Sequence, residues 1–222
     1  MRSEALKDFI ADIIFPNRCP FCDGFIRWEQ LCCGDCYNKI EWLDGHAYEY
    51  TAAAIYTGVI KEAVIKLKYS AELNFVKIIA GEIFSRLCDV GLSEGINYVI
   101  PVPMGKKKQK KVGYNHSELI ADELAKLLGI EKRTDCIFKH DSEKEQHTMN
   151  AAERAENVKG QYYIPLPHKG LTKGEMLKGK TVLLCDDVIT TGATLNECAR
   201  LLQEEGADRV ILAAAAAAIH NE

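Results

Sequence analysis

Chemistry-bearing residues crowd most densely into Cys185-Asp186-Asp187-Val188-Ile189-Thr190-Thr191-Gly192-Ala193-Thr194. An apolar run, Val182 to Leu184, leads into two adjacent carboxylates, and a hydroxyl-rich loop with one glycine follows. Beyond it Leu195, Cys198, Ala199 and Leu202 recur at helical spacing. The stretch therefore reads as a strand ending at the carboxylates, a loop, and a helix. Small residues in such a loop let consecutive backbone N–H groups turn towards an anion at a helix N-terminus. The hydroxyls of Thr190, Thr191 and Thr194 add donors, with Gly192 and Ala193 between them. Asp186 and Asp187 can accept hydrogen bonds from ribose hydroxyls or hold a hydrated Mg²⁺. That set fits a phosphorylated sugar. A Walker A loop is excluded, because no lysine follows a glycine here and the glycine spacing differs. A plain capped turn is the alternative, but two carboxylates after an apolar strand are costly unless something pairs with them.

A second cluster is sulfur. Cys19-Pro-Phe-Cys22 and Cys33-Gly-Asp-Cys36 are two Cys-x-x-Cys knuckles ten residues apart, the arrangement that supplies four thiolates to one tetrahedral ion. Residues 17–40 carry too few apolar groups to fold unaided, so bound zinc is expected to supply much of their stability. Cys32 competes with Cys33 as a ligand, and Cys33 is chosen because Cys33–Cys36 repeats the Cys19–Cys22 spacing. A thioredoxin-like redox motif is the rival, but neither pair has a βαβ context. Four thiolates leave no position for water, which makes the site structural.

These groups need a scaffold. The 222 residues are 47% hydrophobic and 27% charged, enough for one α/β domain plus an appendage. The formal net charge of −4 argues against a general polyanion binder. No run of about 18 apolar residues is present, so no membrane insertion is expected. The first residues lack a signal-peptide core, and a cytoplasmic protein is expected.

Leu6, Phe9, Ile10, Ile13 and Ile14 mark a short amphipathic helix over 4–15, closed by Pro16. Trp42 is expected to anchor the exit from the cysteine module. A first strand at Ala53 to Tyr56 precedes helices over Gly58–Tyr69 and 73–89. Tyr98 to Pro103 reads as a strand that opens into a loop carrying Lys106, Lys107, Lys108, Lys110 and Lys111, then a helix from Ser117 to Leu128. Five lysines in six residues could clamp a second anion such as pyrophosphate, with Gly113 and Asn115 shaping the approach. A strand is expected near Cys136 to Phe138, and then a polar stretch, 141–160, of the kind that closes over phosphorylated ligands. Arg154 and Lys159 are candidates to reach in, and His147 is a possible proton carrier. Tyr162 to Ile164 is a short strand, and 166–180 reads as a surface linker. Gly206 stops the helix after the phosphate loop. Ala213 to Ala218 favours helix by propensity, yet a βαβ connection calls for a parallel strand starting there.

Taken in order, the two knuckles, Tyr56 with Lys68-Tyr69, Pro101-Val-Pro103 with Gly113-Tyr-Asn115, Gln146 with Arg154 and Asn157-Val-Lys-Gly160, and Asp186 to Thr194 resemble the ComF family across essentially the whole chain. The segment around Asp186 by itself resembles the phosphoribosyl-diphosphate (PRPP) signature of type I phosphoribosyltransferases. The resemblance implies a type I phosphoribosyltransferase-like parallel sheet flanked by helices over 46–222, with a four-cysteine zinc module and leading helix over 1–45. It implies that Asp186 and Asp187 meet the ribose and that Thr190, Thr191, Gly192, Ala193 and Thr194 wrap the 5′-phosphate. Pro103, Lys106, Gly113 and Asn115 would lie on the pyrophosphate side, and Arg154 and Lys159 on the flexible loop. Asp186, Asp187 and Arg154 would then be the catalytic set, with Mg²⁺ bridging the pyrophosphate. Two departures stand out. Relatives commonly carry arginines where this chain has Lys106 to Lys111, so phosphate contacts there lose the planar fork. Relatives usually carry Gln where this chain has His116.

Implied function divides three ways. A transferase would move a phosphoribosyl group from PRPP by positioning and charge stabilisation, although no aromatic-plus-polar acceptor pocket is apparent. A binding protein linked to DNA uptake would contact single-stranded DNA or a DNA-uptake helicase through the lysines and through Phe21, Phe25, Trp28 and Trp42. Those aromatics equally suit a small core around the zinc. A PRPP-sensing regulator would keep the fold without the reaction.

Overall fold

In the computed structural model, residues 16–43, 51–141, 158, 160–165 and 175–219 are described. The expected helix over 4–15 and the residues Gln146, His147, Arg154 and Lys159 lie outside them. A short turn of helix, α1 (Gly34–Tyr37), belongs to the cysteine module. The body then runs β1 (Thr51–Ile55), α2 (Gly58–Leu67), α3 (Leu73–Asp89), β2 (Tyr98–Pro101), α4 (Lys106–Val112) and α5 (His116–Leu128). It continues β3 (Glu131–Lys132), β4 (Phe138–Lys139), β5 (Tyr162–Tyr163), β6 (Lys180–Ile189), α6 (Ala193–Glu204) and β7 (Ala207–Ala217).

Five strands form one parallel sheet in the order β1-β7-β6-β2-β3. The crossovers place helices on both faces, as parallel sheets require. Alternation along β6 divides the core. Leu183 and Cys185 face the layer that holds Ile60, Phe75, Ile79, Ile83, Ile120 and Leu124. Val182 and Leu184 face Leu195, Cys198 and Leu202 of α6. The fold expected from the sequence is the fold observed, a parallel sheet flanked by helices.

Three local expectations change, and a fourth is met and extended. The strand of the signature does not stop at the carboxylates: β6 runs through Asp186 and Asp187 to Ile189, paired with β7 up to Ala217. The strand expected to start in the alanine tract is present and runs on to Ala217, because β7 is paired to β1 on one edge and β6 on the other. Alanine side chains there let α3 pack close to β1 and β7, and two ladders of backbone hydrogen bonds outweigh a helix propensity worth tenths of a kcal/mol per residue. The lysine segment is a helix, α4, whose first turn is held by the Asp141 carboxylate accepting from Lys107 N at 2.8 Å. A Cβ at Gly105 would meet Asp141 Oδ1 at 2.9 Å, so a larger residue there would push aside the carboxylate that holds this turn. The described end of the supposed linker is not surface: Leu177 is fully buried and its N–H bonds the Glu205 carbonyl at 3.0 Å.

The cysteine module is built into this core. Phe21 meets Phe75 of α3 edge-on, with centroids 6.0 Å apart. Lys66 of α2 bonds the Asp23 carboxylate at 2.8 Å, and Asn74 donates to Asn17 Oδ1 at 2.8 Å. Trp42 forms an antiparallel bridge with Ala54, so the chain leaving the module runs along the edge of β1. Truncating Phe75 to Ala removes the common wall of the module and the sheet. A loss of about 3–5 kcal/mol, the range for buried Phe→Ala, is expected in urea unfolding. A loss below about 1 kcal/mol would show that the module does not share the core.

Candidate functional site

At the carboxyl end of the sheet β6 delivers Asp186 and Asp187 side by side, both half-buried. Asp186 Oδ1 accepts from Ser117 Oγ at 2.9 Å and from Asp187 N at 2.9 Å. Asp187 Oδ1 accepts from Val188 N at 2.8 Å, and its Oδ2 lies 3.8 Å from His116 Nδ1. Burial, then the neighbouring Asp187 charge, pushes the Asp186 carboxyl up to about 8. Consecutive residues at the start of α5 thus serve the two carboxylates, Ser117 on Asp186 and His116 on Asp187. His116 is buried, and among the described residues its Nε2 has no hydrogen-bond partner. Burial lowers its pKa; Asp187 pulls it up, and Lys68 and Lys108 push it down.

After Ile189 the chain bends through Thr190 and Thr191. Gly192, at φ +73°, provides the left-handed turn into α6 that a side chain would strain. Thr191 Oγ1 accepts from Ala193 N at 3.4 Å. Thr190, Thr191, Gly192 and Asn196 line a cavity of about 120 Å³ at the N-terminus of α6. Thr194 faces the buried Tyr162, whose hydroxyl proton is held firmly by burial and by the charges of Asp186 and Asp187.

On the pyrophosphate side the expected residues divide. Pro103 is half-buried just beyond β2. Asn115 is buried with its amide donating to the Val102 carbonyl at 2.9 Å, so its side chain braces the turn instead of facing a ligand. Gly113, at φ +97°, closes α4 in the left-handed conformation. Lys106 places its ammonium 5.6 Å over the Phe138 ring. Lys106, Lys107, Lys108, Lys110 and Lys111 are all exposed, and none forms an ion pair among the described residues. Arg154 and Lys159 fall outside the described residues.

Three residues absent from the sequence-based set stand at the site: Ser117, Lys139 and Tyr162. β4 and β5 pair outside the main sheet, with Lys139 opposite Tyr162 and Phe138 opposite Tyr163. Tyr163 stacks on His140 at 4.2 Å and on Phe138 at 5.8 Å. Phe138, His140 and Tyr163 thus form an aromatic stack on the face of the β4–β5 pair opposite Lys139 and Tyr162. Ser117 lies 69 residues from Asp186, and no spacing rule connects residues brought together by a crossover.

In the cysteine module the Sγ atoms of Cys19, Cys22, Cys33 and Cys36 all lie within 4.8 Å of one another. Cys22 and Cys33 are 3.8 Å apart, the edge of a tetrahedron with metal–sulfur bonds of about 2.3 Å. Cys32 is outside the group, and burial plus the three nearby thiols push its pKa up to about 11. Burial also opposes ionisation of Cys19, but N–H groups of Cys33, Cys22 and Phe21 overcome it and bring that thiol down to about 7. The four cysteines could hold a metal ion, and their donor set fits one. Of the nearby aromatics, Phe21 is buried and Trp42 half-buried against Tyr37, whereas Phe25 and Trp28 are exposed.

Comparison with known proteins agrees with this arrangement. Residues 115–222 match the model of the phosphoribosyl transferase domain. The chain is 26% identical over 196 residues to the DNA utilization protein YhgH of Salmonella typhimurium, covering 86% of this chain and 80% of the relative. It is 23% identical over 195 residues to competence protein F of Haemophilus influenzae, covering 86% and 81%. It is 22% identical over 151 residues to competence protein ComFC of Bacillus subtilis, covering 68% and 56%. No helix among the described residues is long and apolar enough to cross a membrane.

Proposed function

We propose that this ComF-like chain, with a phosphoribosyl transferase domain over residues 115–222, binds PRPP or a phosphoribosyl end on the Asp186 to Thr194 segment. One observation carries the reading: adjacent carboxylates of a central parallel strand stand beside an N–H-rich cup on the next helix. In that reading Asp186 and Asp187 receive the ribose hydroxyls, and Thr190 to Thr194 receive the 5′-phosphate. Mg²⁺ would supply charge neutralisation at the pyrophosphate, with the carboxylates as its nearest hard oxygen donors. Pro103, Lys106 and Gly113 border the pyrophosphate, and Arg154 and Lys159 are carried over from the resemblance. Zinc is the metal proposed for the four cysteines, in a structural role, because four thiolates make a closed tetrahedral site. The domain boundary near residue 45 is likewise part of the proposal.

Calorimetric titration of PRPP with Mg²⁺ into the full, zinc-loaded chain tests the reading. Saturable one-to-one binding is expected. A folded protein that takes up no PRPP overturns it.

A second reading is favoured by α4. Five exposed lysines on one short helix form a point-charge surface suited to a phosphate backbone, and the relatives are named for competence and DNA utilization. Single-stranded DNA and a DNA-uptake helicase are the partners proposed, in the cytoplasm. An oligonucleotide affinity that falls steeply with salt, and that is lost when the lysines become glutamine, would support it. Affinity indifferent to salt would dismiss it. A pyrophosphate-releasing reaction with some acceptor would instead place the chain among the transferases.

A further inference from the structure

The cysteine module and α3 leave a groove of about 510 Å³ between them. Leu31, Tyr37 and Trp42 line it from the module side, and Ile78 and Gly81 line it from α3. Leu31 and Tyr37 are 38% and 46% exposed, and Trp42 is half-buried with its ring 5.6 Å from Tyr37. Apolar side chains gathered along one channel mark a surface that another segment covers.

Gly81 points the same way independently. It sits in the interior of α3, where glycine weakens a helix relative to alanine. Space does not demand it, since a Cβ there would meet nothing within 4 Å among the described residues. Its backbone is ordinary helix, so no left-handed turn demands it either. A glycine at this position lets a second segment come close to the backbone of α3.

Asn17, at the start of the described residues, is pinned at the rim of this groove. Its side-chain amide donates to the Gln30 carbonyl at 2.8 Å, and its Oδ1 accepts from Asn74 at 2.8 Å. Gln30 lines the groove, and Asn74 lies one helical turn, about 6 Å, before Ile78. Residues 4–15 precede this point directly, and Leu6, Phe9, Ile10, Ile13 and Ile14 share one face at helical spacing. A helix over 4–15 would measure about 18 Å, against about 12 Å of α3 from Asn74 to Glu82. Tethered so close, that face is held near the groove at an effective concentration on the order of mM, which a free copy of the chain would have to match.

We infer that residues 4–15 occupy this groove, their apolar face against Leu31, Ile78 and Gly81, and latch the cysteine module to α3. The inference stands apart from the phosphoribosyl reading. It takes Tyr37 and Trp42 out of any base-stacking surface and leaves Phe25 and Trp28 as exposed aromatics of the module.

Two measurements on the full zinc-loaded chain test it. In the first, Phe9→p-benzoylphenylalanine, a photoreactive residue of similar shape, is irradiated and the digest is mapped. Crosslinks within one chain to peptides from 31–37 or 78–82 are expected. In the second, Gly81→Ala is melted in wild type and in the Ile10→Asp/Ile13→Asp background. With the groove filled, the added methyl crowds the segment and lowers the melting temperature by about 2 °C or more. With the segment displaced, the same methyl raises it by about 2–4 °C through helix propensity. The crosslink decides alone if the double variant does not fold. Crosslinks only to other peptides, or none, overturn the inference. Crosslinks between two chains overturn it too and assign the groove to a second copy. Gly81→Ala that raises the melting temperature equally in both backgrounds overturns it by showing the groove empty.

Discussion

Asp186→Asn/Asp187→Asn is expected to lose PRPP binding by at least about 100-fold, while Asp186→Asn makes the ligand-free protein more stable at pH 8. The first effect follows from removing two carboxyl acceptors at once, each lost hydrogen bond costing about 0.5–3 kcal/mol. The second follows from linkage. Burial, then Asp187, raises the Asp186 pKa to about 8 in the folded chain, from an ordinary value of 3.8. Between those values the folded state holds the proton and the unfolded state does not. The contribution of this group is therefore fully present below about pH 4 and is lost as pH rises through 8. The limiting slope is about 1.4 kcal/mol per pH unit. Thermal melts of wild type should fall across pH 5–8, and those of Asp186→Asn should fall less. Ser117 Oγ can still bond the amide oxygen, so the variant keeps the local contact. A variant less stable than wild type at pH 8 would mean that the carboxylate is a structural element. A variant that still binds PRPP would remove the signature from the binding site.

Stripping the metal, or replacing Cys33 by Ser, is expected to lower stability by about 3–5 kcal/mol, whereas Cys32→Ser stays near wild type. At roughly 2–4 °C per kcal/mol for a chain of this size, the melting temperature should drop by about 6–20 °C. The module has little apolar content of its own. Cys19, Phe21, Cys36 and Ile40 are nonetheless in the same buried cluster as Phe75 and Ile79. Loosening the sulfur cluster therefore opens a face of the main core, and the loss is not confined to the module. Cobalt substitution gives a direct readout: thiolate charge-transfer bands at one metal per chain, abolished in Cys33→Ser and retained in Cys32→Ser. Loss of the bands in Cys32→Ser would exchange the two ligands. A chelated protein that melts at the wild-type temperature would make the metal irrelevant to the fold.

What the sequence determined by itself was whatever depends on local spacing. Helical periodicity placed α3 at 73–89, where the structure has Leu73–Asp89. The repeated knuckle spacing selected Cys33 over Cys32, and the sulfur geometry makes the same choice. The order of the motifs pointed to a parallel sheet with a phosphoribosyl signature at its carboxyl end. Tertiary structure decided whatever depends on a partner far along the chain. Asp186 and Asp187 stay in strand because β7 extends its ladder beside them to Ala217. The alanine tract is strand because two neighbours hydrogen-bond it, which outweighs helix propensity. Asn115 turns inward because Val102 presents a carbonyl to it. Ser117, His116, Lys139 and Tyr162 join the signature only through crossovers of dozens of residues. Periodicity records which face of an element is buried; it does not record what the element is buried against.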